Sequence, residues 1–379
     1  MSPHAALPRR VSLGIAPRFE ADGVWVDAIQ PGSSAETAGL AARDRLLRVA
    51  EIAVSDADSL ARALRAGATF DSVEVVVARG DQTLGLALAH RTAPVEAGPS
   101  ELVTIEAGCG EGPLRIRGHL VRAPCAEWLV LIVGGLTDTP CELIEGSYGA
   151  CFEQFVDTLR RNQVSTLRFD RRGIGDSEGA ATRACHTDDI EDTVAALQFA
   201  RAHHQGPIAC FGHSTGAITA ALARESIGSE GHSVPLAIFG APADPWFACL
   251  REGTMRHHVR EGLTAAEAEQ MADQEVSHTA AWARAGGSGT FEGRSARWHA
   301  ELARHDPVAL IGVPGRRTLV LDGGLDLAVP RSAALRFASA SNTEARVFPE
   351  LDHWMQRRPP TKDCEVAVEL VHWLAIPSP

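Results

Sequence analysis

The chain is almost without lysine. Lys362 is the only one among 36 basic residues, and arginine supplies the rest. Set beside the abundance of alanine, this is a compositional bias and not a basic binding patch. Acidic residues outnumber basic ones and the formal net charge is −12. That excludes the usual nucleic-acid binders, which need a positive surface to neutralise phosphates. Long apolar runs are missing too. The longest, Trp128 to Val133, is far too short to span a bilayer. The first ten residues, MSPHAALPRR, lack the apolar core of a secretory signal, so a cytoplasmic location is expected. No two of the eight cysteines form a C-x-x-C pair, and in this context they are expected to be reduced and structural. The histidines show no H-E-x-x-H or comparable ligand spacing. No metal and no cofactor is therefore expected, and His299, His305 and the other histidines of the insertion are expected at the surface, with one or two of them in the lid able to touch substrate.

What is present divides into two parts. Before residue 92, short strand-like runs such as Val24-Trp25-Val26 and Val73 to Val77 surround two helical patches. Residues 93–102 carry prolines, a glycine and polar side chains, and are expected to link this part to the next. From 103 onward, buried strands alternate with helices: Trp128 to Val133, Val164 to Phe169, Ile208 to Phe211, Leu236 to Phe239 and Thr318 to Leu321 are the strand runs. Such alternation predicts a mostly parallel sheet covered by helices on both faces. Residues 243–308 interrupt the rhythm with a polar, helix-prone insertion, expected to be a lid over a binding site.

One stretch carries the chemistry. In Phe211-Gly212-His213-Ser214-Thr215-Gly216-Ala217 a serine sits between glycines where a strand becomes a helix. A strained turn there lifts the hydroxyl above the end of the sheet. A serine hydroxyl needs a base within reach, and the base needs an acid to orient it. His353 is the only histidine between residue 326 and the last helix, which makes it the expected base. Asp322 and Asp326 share the loop after a buried strand, and Asp244 follows another; each is a possible acid. Backbone donors for a developing oxyanion are expected at Thr215, directly after the serine, and at Leu136 in the loop Val133-Gly134-Gly135-Leu136.

Two family resemblances follow from these residues. "GVWVDAIQPGSSAETAGLAARD", from Gly23 to Asp44, resembles a bacterial PDZ domain, with Leu13, Gly14 and Ile15 in place of its carboxylate-binding loop. The resemblance implies a small α+β domain over residues 1–92 that takes a peptide C-terminus as an added strand. It departs from the family at Arg43 and at Ala50-Glu51, where glycine-containing turns are usual. The glycine loop, the serine turn and "LRFDRRGIGDSEG" (167–179) resemble an α/β-hydrolase. That resemblance implies an α/β-hydrolase domain over 103–379 with a helical lid at about 243–308, and a triad of Ser214, Asp326 and His353. Asp326 is chosen because Gly323-Gly324-Leu325-Asp326-Leu327-Ala328-Val329-Pro330 matches the family pattern. Gly212, His213 and Gly216 complete the turn. The implied activity is serine hydrolysis of an ester, thioester or amide through an acyl-enzyme, on a small or peptide-linked acyl substrate. Thioesterase, peptidase and acyltransferase chemistry share the same triad, and a non-catalytic scaffold is the reading from outside enzymology. The "LRFDRRGIGDSEG" segment is read as structural.

Overall fold

A computed structural model describes residues 6–108, 112–145, 147–357 and 359–376. Cys109 lies outside the described residues; the seven cysteines within them are free thiols.

The first body is built on a six-stranded antiparallel sheet. Its strands are β1 (Ile15–Glu20), β2 (Gly23–Ile29), β3 (Arg45–Val49), β4 (Ile52–Ala53), β5 (Ser72–Arg79) and β6 (Gln82–Ala89), in the order β1-β2-β3-β5-β6 with β4 beside β3. Helices α1 (Ser34–Ala38) and α2 (Ala57–Ala66) close over it. Alternate residues of the strands, such as Val73, Val75 and Val77, face inward onto Leu60 and Ala63 of α2. Asp56 caps α2 by accepting from Ser59 N–H at 2.7 Å. The two departures from the PDZ pattern have a backbone cost: Arg43 and Ala50 both sit at positive φ, 70° and 51°.

The second body holds β7 (Ser100–Ala107), β8 (Leu114–Val121), β9 (Trp128–Val133), β10 (Val164–Phe169), β11 (Ile208–His213) and β12 (Leu236–Phe239). After an insertion containing the small hairpin β13 (Thr290–Phe291) and β14 (Arg294–Ser295), it continues with β15 (Thr318–Gly323) and β16 (Ala345–Phe348). Eight of these strands form one sheet in the order β16-β15-β12-β11-β9-β10-β8-β7, parallel from β16 to β10 and antiparallel at the β8-β7 edge. The expected alternation therefore begins only at β9. The antiparallel pair β7-β8 precedes it, and β7 starts inside the stretch expected to be a linker.

Helices α3 (Glu153–Arg161), α4 (His186–His203), α5 (Gly216–Ser226) and α6 (Ser229–His232) follow in chain order. The insertion adds α7 (Trp246–Arg260), α8 (Ala265–Arg284), α9 (Ala296–Leu302) and α10 (Pro307–Ile311). The chain closes with α11 (Arg331–Ser341) and α12 (Glu365–Ala375). The central strands read as unbroken apolar runs because both faces are covered. Leu131, Cys210, Ile238 and Val320 face α4, α5 and α11, whereas Val130, Ala209, Ala237 and Leu319 face α3 and α12. Period two is thus hidden in the sequence but sharp in space. No helix among the described residues is long and apolar enough to cross a membrane.

The two bodies are joined by buried ion pairs. Asp176 accepts from Arg9 Nη1 at 3.0 Å, Arg10 N at 3.1 Å, Arg10 Nη1 at 3.0 Å and Arg117 Nε at 3.1 Å. Glu142 pairs with both Arg9 and Arg10. In the stretch expected to be a linker, Glu96 is buried and takes both guanidinium nitrogens of Arg168, at 2.6 and 3.2 Å. Burial alone would raise the Glu96 carboxyl, but Arg168 outweighs it and holds it down to about 2.

Asp176 is the hub of this joint. Asp176→Asn leaves three guanidinium groups short of their counter-charge in a buried place, and about 3–5 kcal/mol of stability should be lost. Urea denaturation checks this against Asp81→Asn, an exposed turn position where the change should stay within about 0.5 kcal/mol.

Candidate active site

Strand β11 ends at His213 and α5 begins at Gly216, so the chain turns within Ser214 and Thr215 alone. It does so at φ 55°, a left-handed conformation rare for residues other than glycine. The flanking glycines answer to close approach. A Cβ on Gly212 would lie 2.4 Å from Ala217 Cα, and one on Gly216 would lie 2.2 Å from the Val133 carbonyl oxygen. The helix is pressed so near the ends of β9 and β11 that neither place admits a side chain.

The expected acid and base follow β15 and β16. Asp326 follows β15 and is buried; its Oδ1 accepts from the N–H groups of Ala328 and Val329, each at 2.8 Å. Its Oδ2 lies 2.7 Å from His353 Nδ1, in the loop after β16. Asp322 and Asp244 take no part in this hydrogen bond. Asp244 forms an exposed pair with Arg336. Asp322 is buried; burial, then the charge of Asp326, pushes its carboxyl up to about 7. Ser214, His353, Thr215 and Leu136 line one cavity of about 610 Å3. Leu13, Gly14 and Ile15 belong to the other body: Leu13 is in its core, and Gly14, at φ +77°, accepts from Gln30 N–H at 2.8 Å.

Three further residues hold this arrangement; the sequence placed His213 in the serine turn and Arg171 in a segment read as structural, and no sequence pattern pointed to Tyr148 or to the contacts the three make. Tyr148 is the only tyrosine of the chain. Its hydroxyl accepts from Gly135 N–H at 2.5 Å and lies 2.7 Å from His213 Nδ1. The other ring nitrogen of His213, Nε2, lies 2.7 Å from the carbonyl oxygen of His353. A carbonyl only accepts, so Nε2 carries the proton and Nδ1 accepts from the Tyr148 hydroxyl. Burial pushes His213 down to about 3, in keeping with this neutral tautomer. His213, expected only as a filler of the turn, thus ties the serine turn to the loop of His353.

Arg171 is the third. Its Nη2 donates to the Gly135 carbonyl at 2.7 Å, and its Nη1 pairs with buried Asp189 at 3.2 Å. Gly135 is therefore held from both sides, by Tyr148 at its N–H and by Arg171 at its C=O. A trans peptide is planar, so fixing the Gly135 C=O aims the Leu136 N–H in the opposite direction. The segment read as structural thus reaches the loop beside the serine: a Cβ on Gly135 would stand only 2.7 Å from Ser214 Cβ.

The insertion covers the cavity. Trp246, Leu250, His257, His258 and Arg260 of α7 line it, with Glu275 of α8 and Phe291 of the hairpin. Arg256 donates to the Asp326 carbonyl at 2.5 Å, which ties α7 to the acid loop. His299 departs from expectation. It is buried, not superficial, because its ring accepts from Trp246 Nε1 at 2.9 Å and packs beside Trp298. Among the described residues, the one group of side chains with metal-ligating geometry is His119, Cys141 and Asp170, away from the serine.

Three buried histidines make the protein sensitive to acid. Burial pushes His213 and His186 down to about 3 and His299 down to about 4, whereas the unfolded chain takes up these protons near 6.5. Their contribution is complete above about pH 6.5 and is lost as pH falls towards the folded values. Near pH 5 the three histidines alone would give a slope of about three protons, but burial pushes Asp322 up to about 7 and Asp189 up to about 6, so these carboxyls take up protons in the folded chain over the same range and offset about two, leaving about 1.4 kcal/mol per pH unit. Stability from urea denaturation measured from pH 7 to pH 5 should fall by this modest slope; a flat profile would contradict the neutral histidines.

Residues 145–244 match the serine aminopeptidase S33 family, and residues 25–79 match the PDZ domain family. No curated protein sequence matches the chain. Similar solved structures include a hydrolase of Agrobacterium vitis, at 17% identity and a TM-score of 0.49, covering 73% of this chain and 98% of that one. The esterase domain of a Rhodothermus marinus protein shows 20% identity and a TM-score of 0.47, covering 72% and 97%. A thermophilic esterase of Thermogutta terrifontis shows 18% identity and a TM-score of 0.47, covering 72% and 98%. The strand order, the serine turn and the two family matches make this chain an α/β-hydrolase-fold protein with an N-terminal PDZ domain.

Proposed function

We propose that the chain is a serine hydrolase that cleaves a carboxylic ester through Ser214, His353 and Asp326. The observation that carries this reading is the 2.7 Å contact between His353 Nδ1 and Asp326 Oδ2 at the wall of the cavity into which Ser214 opens. Asp326 accepts a hydrogen bond from His353 Nδ1–H, which leaves Nε2 free to take the proton of the serine hydroxyl. Ser214 Oγ then attacks the acyl carbon, and His353 returns the proton to the leaving group. Water releases the acyl group by the same steps in reverse order.

The developing oxyanion is met by the N–H groups of Leu136 and Thr215. Gly135 N–H is already taken by Tyr148, which supports Leu136 as the donor from that loop. The cavity is lined by apolar side chains, among them Leu136, Trp246, Leu250 and Val329, and by the polar or charged His258, Arg260 and Glu275. This favours an acyl substrate with both a hydrocarbon and a polar portion. At the other body, β1 is an edge strand, open on one side, so a peptide C-terminus held at Leu13-Gly14-Ile15 is the proposed partner.

A fluorophosphonate probe should label the native protein, and Ser214→Ala should abolish labelling and lower kcat by about 10^6-fold. Absence of labelling on folded protein would favour the scaffold reading. Arg171→Met and Tyr148→Phe should each lower kcat by about 10- to 100-fold with little change in KM, because a misaimed donor affects the transition state more than the substrate. A panel of p-nitrophenyl esters, acyl thioesters and peptide anilides separates esterase from thioesterase and peptidase activity.

A further inference from the structure

Beneath the loop after β9 three chemically reactive side chains meet, with Asp170 Oδ1 accepting from Cys141 N–H at 2.7 Å. His119 comes from β8 and Asp170 from the end of β10, on neighbouring strands whose register pairs Arg168 with His119. Cys141 comes from the loop. Their ligand atoms all lie within 4.8 Å of one another. His119 and Asp170 are fully buried, yet both ring nitrogens of His119 and Asp170 Oδ2 have no hydrogen-bond partner among the described residues. His119 Nε2 faces Asp170 Oδ2 at 3.8 Å, and Nδ1 faces Glu96 Oε2 at 3.8 Å. Both distances are too long for hydrogen bonds. Leaving such groups unsatisfied in the interior is costly.

These separations suit a shared ion better than a hydrogen bond. Ligands bound to one zinc ion at about 2.0 to 2.3 Å stand roughly 3.3 to 3.8 Å apart. Gathering the thiolate as well requires shifts of about an ångström. The charges also balance. A divalent cation, a Cys141 thiolate and an Asp170 carboxylate sum to zero, beside a Glu96–Arg168 pair that is itself neutral. A carboxylate facing the second nitrogen of a ligating histidine is the usual way its ring is oriented, and Glu96 stands in that position. A cavity of about 30 Å3 borders Cys141 and Asp170, large enough for a water as fourth ligand.

We propose that His119, Cys141 and Asp170 form a buried site for a borderline divalent cation such as Zn2+, with Glu96 orienting His119. A mixed sulfur, nitrogen and oxygen donor set selects this class over magnesium or calcium. Binding forms a metal–sulfur bond, breaks the Cys141 S–H bond and passes that proton to buffer. The ion is structural: it staples the loop carrying Cys141 and Tyr148 to the sheet. It takes no part in the proposed hydrolysis.

The test uses the full chain, stripped with a chelator and titrated with Co2+. One equivalent should bind, with a thiolate-to-cobalt charge-transfer band and release of one proton, and Zn2+ should displace it and erase the band. Cys141→Ser should lose the band, Cys151→Ser, at another partly buried thiol, should keep it, and His119→Gln should weaken binding at least tenfold. Circular dichroism of the metal-free variants reports their folding. No band in the wild-type chain, together with a Tm unmoved by excess Zn2+, would overturn the proposal in favour of a metal-free cluster. A band that survives Cys141→Ser would overturn it as well.

Discussion

The closeness of α5 to the ends of β9 and β11 is the constraint on which the site depends. With Gly216 against the Val133 carbonyl and Gly212 against Ala217, the chain can pass from strand to helix only through one strained residue. Ser214 occupies that residue, and its strain is borne by the packing around it. The same contact puts the Gly134-Gly135 loop within reach of the serine. The helix supports this with small residues, since Ala217, Ala220 and Ala221 let it lie close on the sheet.

Around that contact, polar side chains do what backbone hydrogen bonds do elsewhere. Tyr148 and Arg171 hold the Gly135 peptide from opposite ends, His213 fastens the serine turn to the His353 loop, and Asp326 is aimed by two backbone N–H groups. These ties lie at the carboxyl ends of the parallel strands, where open α/β sheets place their ligands. The PDZ body joins the same system. Arg9 and Arg10 directly precede its Leu13-Gly14-Ile15 loop and pair with Glu142, in the segment that carries Tyr148. These ion pairs connect the N-terminal segment of one body to the segment of the other that carries Tyr148.

Much of this was legible in the residue order. The buried strand runs, the serine turn, the order of serine, acid and histidine and the helical insertion are all local patterns. The pair β7-β8 was not, because antiparallel edge strands rich in arginine, such as Arg115 and Arg117, do not read as a buried core. His299 was missed for a related reason: a histidine in a polar helix looks superficial until Trp246 and Trp298 enclose it. The choice between Asp322 and Asp326 rested on a family pattern, since both sit in one loop four residues apart. In three dimensions His353 Nδ1 faces only one of them.

By itself, then, the sequence determined the two architectures, the serine turn and the region from which base and acid would come, because each depends on neighbours in the chain. The tertiary structure decided what depends on distant residues. Tyr148 and His213 meet across the active cavity, Arg171 reaches Gly135 from another strand, and His119, Cys141 and Asp170 converge from three segments. None of these has a spacing to read. Their geometry exists only once the sheet has set its strands side by side and the loops above it have been drawn together.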